Sequence, residues 1–320
     1  MGETALTNGI LFDIQGFSVH DGPGCRTLIF LKGCSLHCAW CSNPEGISPL
    51  PELLHQPAQC TFDGLCTEAC PSKAITISRP TSREAPASPE LLIDRAACTT
   101  CPTFACTTAC CTGAIRKAGY TLSSDALYER ICRDRQYWGP GGGITLTGGE
   151  PFLQPLFVSE FLRRCYQAYI HTAAETCGNV PYAAIARSLP FLDWLFFDLK
   201  GMNPAEHLAM TGTSNSLILK NARRLALEFP GRLIFRLPLI PGYNDHETQI
   251  LSLIRFISAT GKHEINVLPA HHLGREKYKL LGKKYFTENF SPPPVNKLKE
   301  VCHLFENEGI KCYLGSDTPF

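Results

Sequence analysis

The chain reads as an α/β protein, an open parallel barrel of six βα units interrupted near its start by a cysteine-rich insert. Three observations predict this. Six apolar runs of strand length, one ending at Leu31 and the others near 144–147, 170–175, 195–200, 233–237 and 265–268, alternate with helical patterns near 125–135, 154–168, 181–189, 216–228, 246–260 and 295–308. Polar or glycine-rich groups follow several of the runs, and barrel enzymes build their active sites at that end of the strands. Finally, eight of the 17 cysteines fall within residues 55–117 and set that stretch apart. The expected organisation is a first part of the barrel over 1–54, the insert over 55–117 and the remainder of the barrel over 118–320.

Composition narrows the function classes. With 44% hydrophobic residues the 320-residue chain can bury a real core. Its net charge of +1, with Lys and Arg spread along the chain, offers no stripe for nucleic acid and no basic membrane patch. The opening Met1-Gly2-Glu3-Thr4-Ala5 lacks a charged region followed by an apolar one. No apolar run approaches the ~18 residues of a membrane span. A soluble, cytoplasmic protein is expected, and in that compartment dense cysteines point to metal rather than to disulfides.

In chain order, Ile10–Ile14 is strand-like and His20-Asp21-Gly22-Pro23-Gly24 is a turn by its chemistry, glycine supplying positive φ and proline fixing φ. The run Leu28–Leu31 leads into Gly33-Cys34-Ser35-Leu36-His37-Cys38-Ala39-Trp40-Cys41-Ser42-Asn43. Three thiols from one loop suit zinc or an iron–sulfur cluster, and they leave a coordination position open for chemistry. In the insert, Cys60-x5-Cys66-x3-Cys70-Pro71 and Cys98-x2-Cys101-x4-Cys106-x3-Cys110-Cys111 flank a Pro/Ser/Ala-rich connector, Arg79 to Pro89. This is an internal repeat of the bacterial ferredoxin type, in which the fourth cysteine of each run serves the other cluster. By that crossing rule one cluster uses Cys60, Cys66 and Cys110, and the other uses Cys98, Cys101, Cys106 and Cys70. Asp63 stands where the second cysteine of the first run belongs and is a harder ligand. Two extra residues separate Cys101 from Cys106, and Cys111 replaces the usual proline. A pair of zinc knuckles is the alternative. Cys25, Cys132, Cys165, Cys177, Cys302 and Cys312 read as ordinary thiols, small hydrophobes of a core. At the later strand ends, Gly148 and Gly149 would let backbone approach a ligand without a side-chain clash. Asp198 and Lys200, two apart on a strand, share one face.

Taken together, the cysteine loop, Gly148-Gly149-Glu150, Asp198-Leu199-Lys200, Pro241-Gly242-x-Asn244-Asp245 and Leu268-Pro269-x-His271-x2-Gly274-x2-Lys277-Tyr278 resemble the activating enzymes of glycyl radical enzymes, members of the radical S-adenosylmethionine (SAM) family. The insert is similar to the subgroup that carries two ferredoxin-like clusters. The resemblance runs from His20 to about Lys284 and implies a partial (β/α)6 radical SAM barrel with an inserted ferredoxin-like two-cluster domain. It implies that Cys34, Cys38 and Cys41 are catalytic, holding a [4Fe-4S] cluster whose fourth iron SAM chelates. Trp40 would lie near the adenine, Gly148 and Gly149 would pair with the SAM amino group with the help of Glu150, Lys200 would meet the carboxylate and His271 the ribose. Ser42 and Asp198 complete this cofactor-binding set. Asp198, Glu175 and Thr176 match positions that hold a monovalent cation in some relatives. Arg236 matches an arginine near the active centre, or is a structural ion pair.

The implied reaction is reductive cleavage of SAM to methionine and a 5′-deoxyadenosyl radical, which abstracts hydrogen from one glycine Cα of a partner glycyl radical enzyme. Three [4Fe-4S] clusters are implied, two of them auxiliary, relaying electrons from a flavodoxin or ferredoxin or forming part of the docking surface. A monomer is expected. One competing reading is a radical SAM maturase with another substrate, although those tend to carry extra cysteines after the barrel. Another is an electron-transfer iron–sulfur protein with no chemistry of its own, which the open three-cysteine loop argues against.

Overall fold

Ile10–Ile14 belongs to a longer strand, β1 (Asn8–Ser18), which turns through His20–Gly24 to pair antiparallel with β2 (Arg26–Leu31). The computed structural model describes residues 7–79, 88–286 and 291–315, so most of the connector Arg79 to Pro89 lies outside the described residues. Four short strands lie in the insert: β3 (Glu52–His55), β4 (Ile75–Ser78), β5 (Glu90–Ile93) and β6 (Ile115–Ala118). They pair antiparallel, β3 with β6 and β4 with β5, so the insert is closed at its base by the first of these pairs. Next, β7 (Tyr120–Ser123) returns to the free edge of β1.

The parallel part of the sheet follows. It runs from β2 through β8 (Gly143–Gly148), β9 (His171–Thr176), β10 (Trp194–Asp198), β11 (Arg232–Leu239) and β12 (Glu264–Pro269) to β13 (Lys311–Leu314). Every neighbouring pair in this series is parallel, and the sheet is open, ending at β13 and at β7. All six expected strands are present, and β13 extends the series by one. Four residues beginning with a lysine carry little apolar-run signal; pairing with β12 makes this segment a strand.

Helices Ser124–Cys132, Pro155–Gln167, Ser216–Glu228, Glu247–Ala259 and Val295–Asn307 fall on the expected patterns, and Tyr182–Ala186 is shorter than expected. Outside the insert, two more helices among the described residues were not foreseen, Pro204–Thr211 and Arg275–Leu280, and the insert adds the short helices Leu65–Glu68, Arg95–Cys98 and Ala105–Ala109. Helix Pro204–Thr211 carries its own signals: the Asn203 side chain accepts from the amides of Ala205 and Glu206, Pro204 opens the helix and Gly212 ends it at φ 76°. Among the described residues no helix is long and apolar enough to cross a membrane.

The parallel strands are buried on both faces, as helices covering a parallel sheet require. Along β10, Leu195 and Phe197 pack into the large core under the helices, whereas Phe196 packs with Ala173 and Ile234 on the opposite, inner face. Two residues further along that inner face the apolar side chains give way to Glu175, Asp198 and Arg236. The insert has a separate small core rich in cysteine: Leu53, Ala74, Ile75, Leu91, Phe104 and Ile115 with Cys66, Cys70, Cys98 and Cys106. A core of that size is marginal without a staple such as bound metal.

One correction concerns cysteine pairing. Cys302 and Cys312, read as ordinary thiols, form a disulfide closing the turn between Val295–Asn307 and β13, with Cα atoms 5.4 Å apart. Only the return of the chain from helix to strand brings them together.

Candidate active site

The three-cysteine loop leaves β2 at the C-terminal end of the parallel sheet and is fastened at every side. Its base is closed by the Gly33 amide donating to Gly46 O (2.8 Å) and the Cys34 amide donating to Ile47 O (2.9 Å). The end of helix Pro204–Thr211 holds the middle, with the amides of His37 and Ala39 donating to Thr211 O (2.8 Å) and Met210 O (3.0 Å). Lys277, on helix Arg275–Leu280, reaches the far side through Glu45 (2.7 Å) and Asn43 (2.9 Å). Helices Pro204–Thr211 and Arg275–Leu280 thus both serve to position this loop.

Beneath the loop lies the end of β8. The Gly149 amide donates to Leu31 O (2.8 Å) and the Glu150 amide to Gly33 O (2.7 Å). A Cβ at Gly149 would stand 2.2 Å from Gly33 O and 2.6 Å from Gly46 O, and one at Gly148, where φ is 104°, would stand 2.7 Å from Leu31 N. The expected reason for these glycines, approach to a ligand, is therefore incomplete. Their first role is the approach of β8 to the backbone that launches the cysteine loop.

Cys34, Cys38 and Cys41 line one cavity together with Trp40, Ser42, Gly148, Gly149, Asp198, Lys200 and His271. Glu150, grouped with the cofactor-binding residues in the sequence reading, does not line it. It is fully buried behind the wall, where its carboxylate accepts from Thr176 Oγ1 (2.9 and 2.8 Å) and from the amides of Cys177 (2.8 Å) and Phe152 (3.1 Å). Glu150 therefore ties the end of β8 to the end of β9 and acts on the cavity through Gly149. Trp40 forms an apolar wall with Tyr243 (ring centroids 5.2 Å apart), Ile240 and Ala270. The Leu273 amide donates to His271 Nδ1 (3.3 Å), which leaves Nε2 as the protonated nitrogen of the neutral ring, whose pKa partial desolvation lowers.

A charged row crosses the inner face of four strands. Thr147 donates to Glu175 (2.6 Å), Arg236 bridges Glu175 (2.5 Å) and Asp198 (2.8 Å), and Lys200 pairs with Asp198 (2.7 Å). Burial alone would raise the Asp198 carboxyl, but the Arg236 and Lys200 charges hold it down to about 2. For Glu175 burial wins over Arg236 and its pKa is raised. The Lys200 ammonium is itself held charged against burial, by Asp198 first. Asn244 keeps Lys200 in place, its side-chain amide donating to Lys200 O (2.8 Å) and Pro238 O (2.7 Å) while it accepts from the Ile240 amide (2.7 Å).

Burial pushes the Cys38 thiol up to about 12 and Cys41 to about 11, so loading a metal here must expel their protons. Among the described residues no three Cys, His, Asp or Glu side chains close on a single-ion position. Three soft thiols around an open cavity fit a four-iron cluster, in which each thiolate meets its own iron. The sequence reading missed Cys177. Taken as an ordinary core thiol, it lines this cavity beside Cys34, and its neighbourhood lowers the Cys34 thiol. Its position directly after Thr176 at the end of β9 was the available signal.

In the insert, Cys60, Asp63, Cys66 and Cys110 line one small pocket. Cys98 and Cys106 sit in the fields of Cys70 and Cys101, and their thiols are pushed up by burial and by those neighbours, Cys106 to about 11. The thiols thus fall into two groups, with Cys70 and Cys110 each beside the cysteines of the other run.

Comparison with known proteins bears on this arrangement. The Radical SAM superfamily matches residues 97–254, and a 4Fe-4S single cluster domain matches residues 20–64. The chain is 37% identical over 324 residues to the 4-hydroxyphenylacetate decarboxylase activating enzyme of Clostridioides difficile (strain 630), covering 100% of both chains. It is 36% identical to the indoleacetate decarboxylase activating enzyme of Tractidigestivibacter scatoligenes, covering 98% of this chain and 99% of that one. To the isethionate sulfite-lyase activating enzyme of Nitratidesulfovibrio vulgaris it is 38% identical, covering 87% of this chain and 89% of the relative.

Proposed function

Because this chain belongs to the glycyl radical enzyme activating enzymes of the radical SAM superfamily, we propose that SAM sits in the cavity over the Cys34–Cys38–Cys41 loop and that the protein substrate is an arylacetate decarboxylase of the glycyl radical class. The single observation that carries the site is the convergence of three thiols, Gly148, Gly149, Lys200, His271 and Trp40 on one cavity. The end-to-end similarity to two arylacetate decarboxylase activators supports the choice of partner, since the isethionate relative aligns over a smaller share of the chain.

Bound together, a [4Fe-4S] cluster and SAM supply one-electron cleavage to methionine and a 5′-deoxyadenosyl radical, which takes hydrogen from a glycine Cα of the partner. The protein's part is to bind and orient. Cys34, Cys38 and Cys41 would hold the cluster and leave one position for SAM. The backbone at Gly148 and Gly149 would receive its amino group, Lys200 its carboxylate and His271 Nε2–H its ribose, with the Trp40 wall and Ser42 on the adenine side. A monovalent cation at Asp198, Glu175 and Thr176 is not part of this proposal, because the Arg236 guanidinium already bridges both carboxylates. The insert is proposed to hold two auxiliary clusters, supported by its two groups of thiols, that pass electrons from a flavodoxin or ferredoxin.

Anaerobic EPR of the reduced protein with SAM and purified decarboxylase tests this function. A glycine-centred doublet on the decarboxylase is the expected result. A doublet only on an isethionate lyase would overturn the partner, and no cleavage of SAM at all would overturn the site. A second expectation concerns Cys177, which lines the cavity beside Cys34 and whose thiol would donate to the Cys34 thiolate of a bound cluster. A hydrogen bond of about 1 kcal/mol to a cluster ligand corresponds to about 40 mV in a one-electron couple. Cys177→Ala should therefore lower the midpoint potential of this cluster by roughly that amount, and Cys177→Ser should restore it in a redox titration followed by EPR.

A further inference from the structure

We infer that Cys111 is the fourth thiolate of the auxiliary cluster held by Cys60, Cys66 and Cys110, in the place that the Asp63 substitution leaves without a cysteine. This rests on the proposal above that the insert carries two clusters. The two groups of thiols are unequal: Cys70, Cys98, Cys101 and Cys106 supply four ligands, whereas Cys60, Cys66 and Cys110 supply three and share their pocket with a carboxylate. That carboxylate is engaged elsewhere. Asp63 Oδ1 accepts from the Leu65 amide (3.0 Å) and Oδ2 from the Thr61 hydroxyl (3.0 Å), which together set the turn entering the helix Leu65–Glu68.

Cys111 stands next to it. Its sulfur is 3.8 Å from Oδ2 of Asp63, a residue of the pocket lining, while Cys111 itself stands just outside that lining. Cys110 comes from another side, its sulfur accepting the Ile115 amide (3.4 Å). The backbone at Cys110 is extended (φ −78°, ψ 98°), so the two consecutive side chains leave on different sides: Cys110 lines the pocket, and Cys111 would join the cluster by turning in past Asp63. A thiolate is the softer ligand and suits iron in a sulfide cluster better than a carboxylate does. Cys111 is exposed, so on binding its proton leaves to solvent as the Fe–S bond forms, with no change in electron count. With Cys111 included, the eight thiols of the insert match the eight ligand positions of two four-iron clusters.

The test uses the full chain carrying Cys34→Ala, Cys38→Ala and Cys41→Ala, reconstituted anaerobically with iron and sulfide so that only the insert's iron is counted. This background should hold about eight irons. Adding Cys111→Ala should lose between about one and four of them and change the EPR of the reduced protein, whereas adding Asp63→Ala should leave count and spectrum unchanged. Combining Cys111→Ala with Asp63→Cys should restore both. Full iron with an unchanged spectrum in Cys111→Ala would overturn the inference, as would iron loss in Asp63→Ala without loss in Cys111→Ala. A background with no bound iron would overturn the two-cluster reading itself, a result distinct from either of these.

Discussion

Arg236→Met is expected to destabilise the protein by about 3–5 kcal/mol, the usual consequence of removing one partner from a buried ion pair. Arg236, Glu175 and Asp198 are each no more than about one-sixth exposed, and the guanidinium touches both carboxylates. Without it, Lys200 still neutralises Asp198, but Glu175 keeps only the Thr147 hydroxyl. Arg236→Met combined with Glu175→Gln should therefore recover part of the loss. Urea unfolding of the anaerobic holoprotein measures both.

The sign of the pH dependence follows from the directions of the two carboxyl groups. Asp198 lies below its ordinary value, so its contribution is fully present above that value and is lost only as pH falls toward about 2. Glu175 lies above its ordinary value already, and loss of Arg236 would raise it further. A carboxyl raised on folding costs stability increasingly as pH climbs from its unfolded to its folded pKa. The penalty of Arg236→Met should accordingly be larger at pH ~7 than at pH ~4.5, near the ordinary glutamate value. A penalty that shrinks with rising pH would show that Glu175 is not the group left uncompensated.

Gly149→Ala is expected to remove the cluster of the cysteine loop while leaving in place any iron held by the insert under the two-cluster proposal. The added methyl would meet two backbone oxygens, Gly33 O and Gly46 O, and neither is a flexible side chain that could swing aside. Because Gly33 and Gly46 form the base of the loop, the displacement is passed to all three thiols. A misplacement on the order of 1 Å alone can reduce turnover about 100-fold, so with the cluster lost 5′-deoxyadenosine formation should fall by more than that. Iron should drop by about one four-iron cluster. Retention of both iron and cleavage would show that β8 does not determine the position of the loop.

Much of this protein was legible in its sequence because the signals are local. Thiol spacing at Cys34, Cys38 and Cys41 depends on one loop, and the parallel strands announce themselves by short apolar runs buried on both faces. The groups at the strand ends follow from counting along each strand. Other features depend on segments distant in sequence and could not be read that way. Glu150 looks like a ligand-facing residue of its turn, yet the packing of β8 on β9 turns it inward to Thr176 and Cys177. Cys177 has no neighbouring cysteine in the chain, and only the adjacency of the two strand ends to the loop brings it to Cys34. Arg236 could be a cavity group or a structural ion pair until the register of β10 and β11 set it opposite Asp198. Cys302 and Cys312 are ordinary thiols by composition and a disulfide by geometry. The sequence by itself determined which chemistry is available; tertiary structure decided which side chains face the cavity, because facing is set by register and packing between strands far apart in the chain.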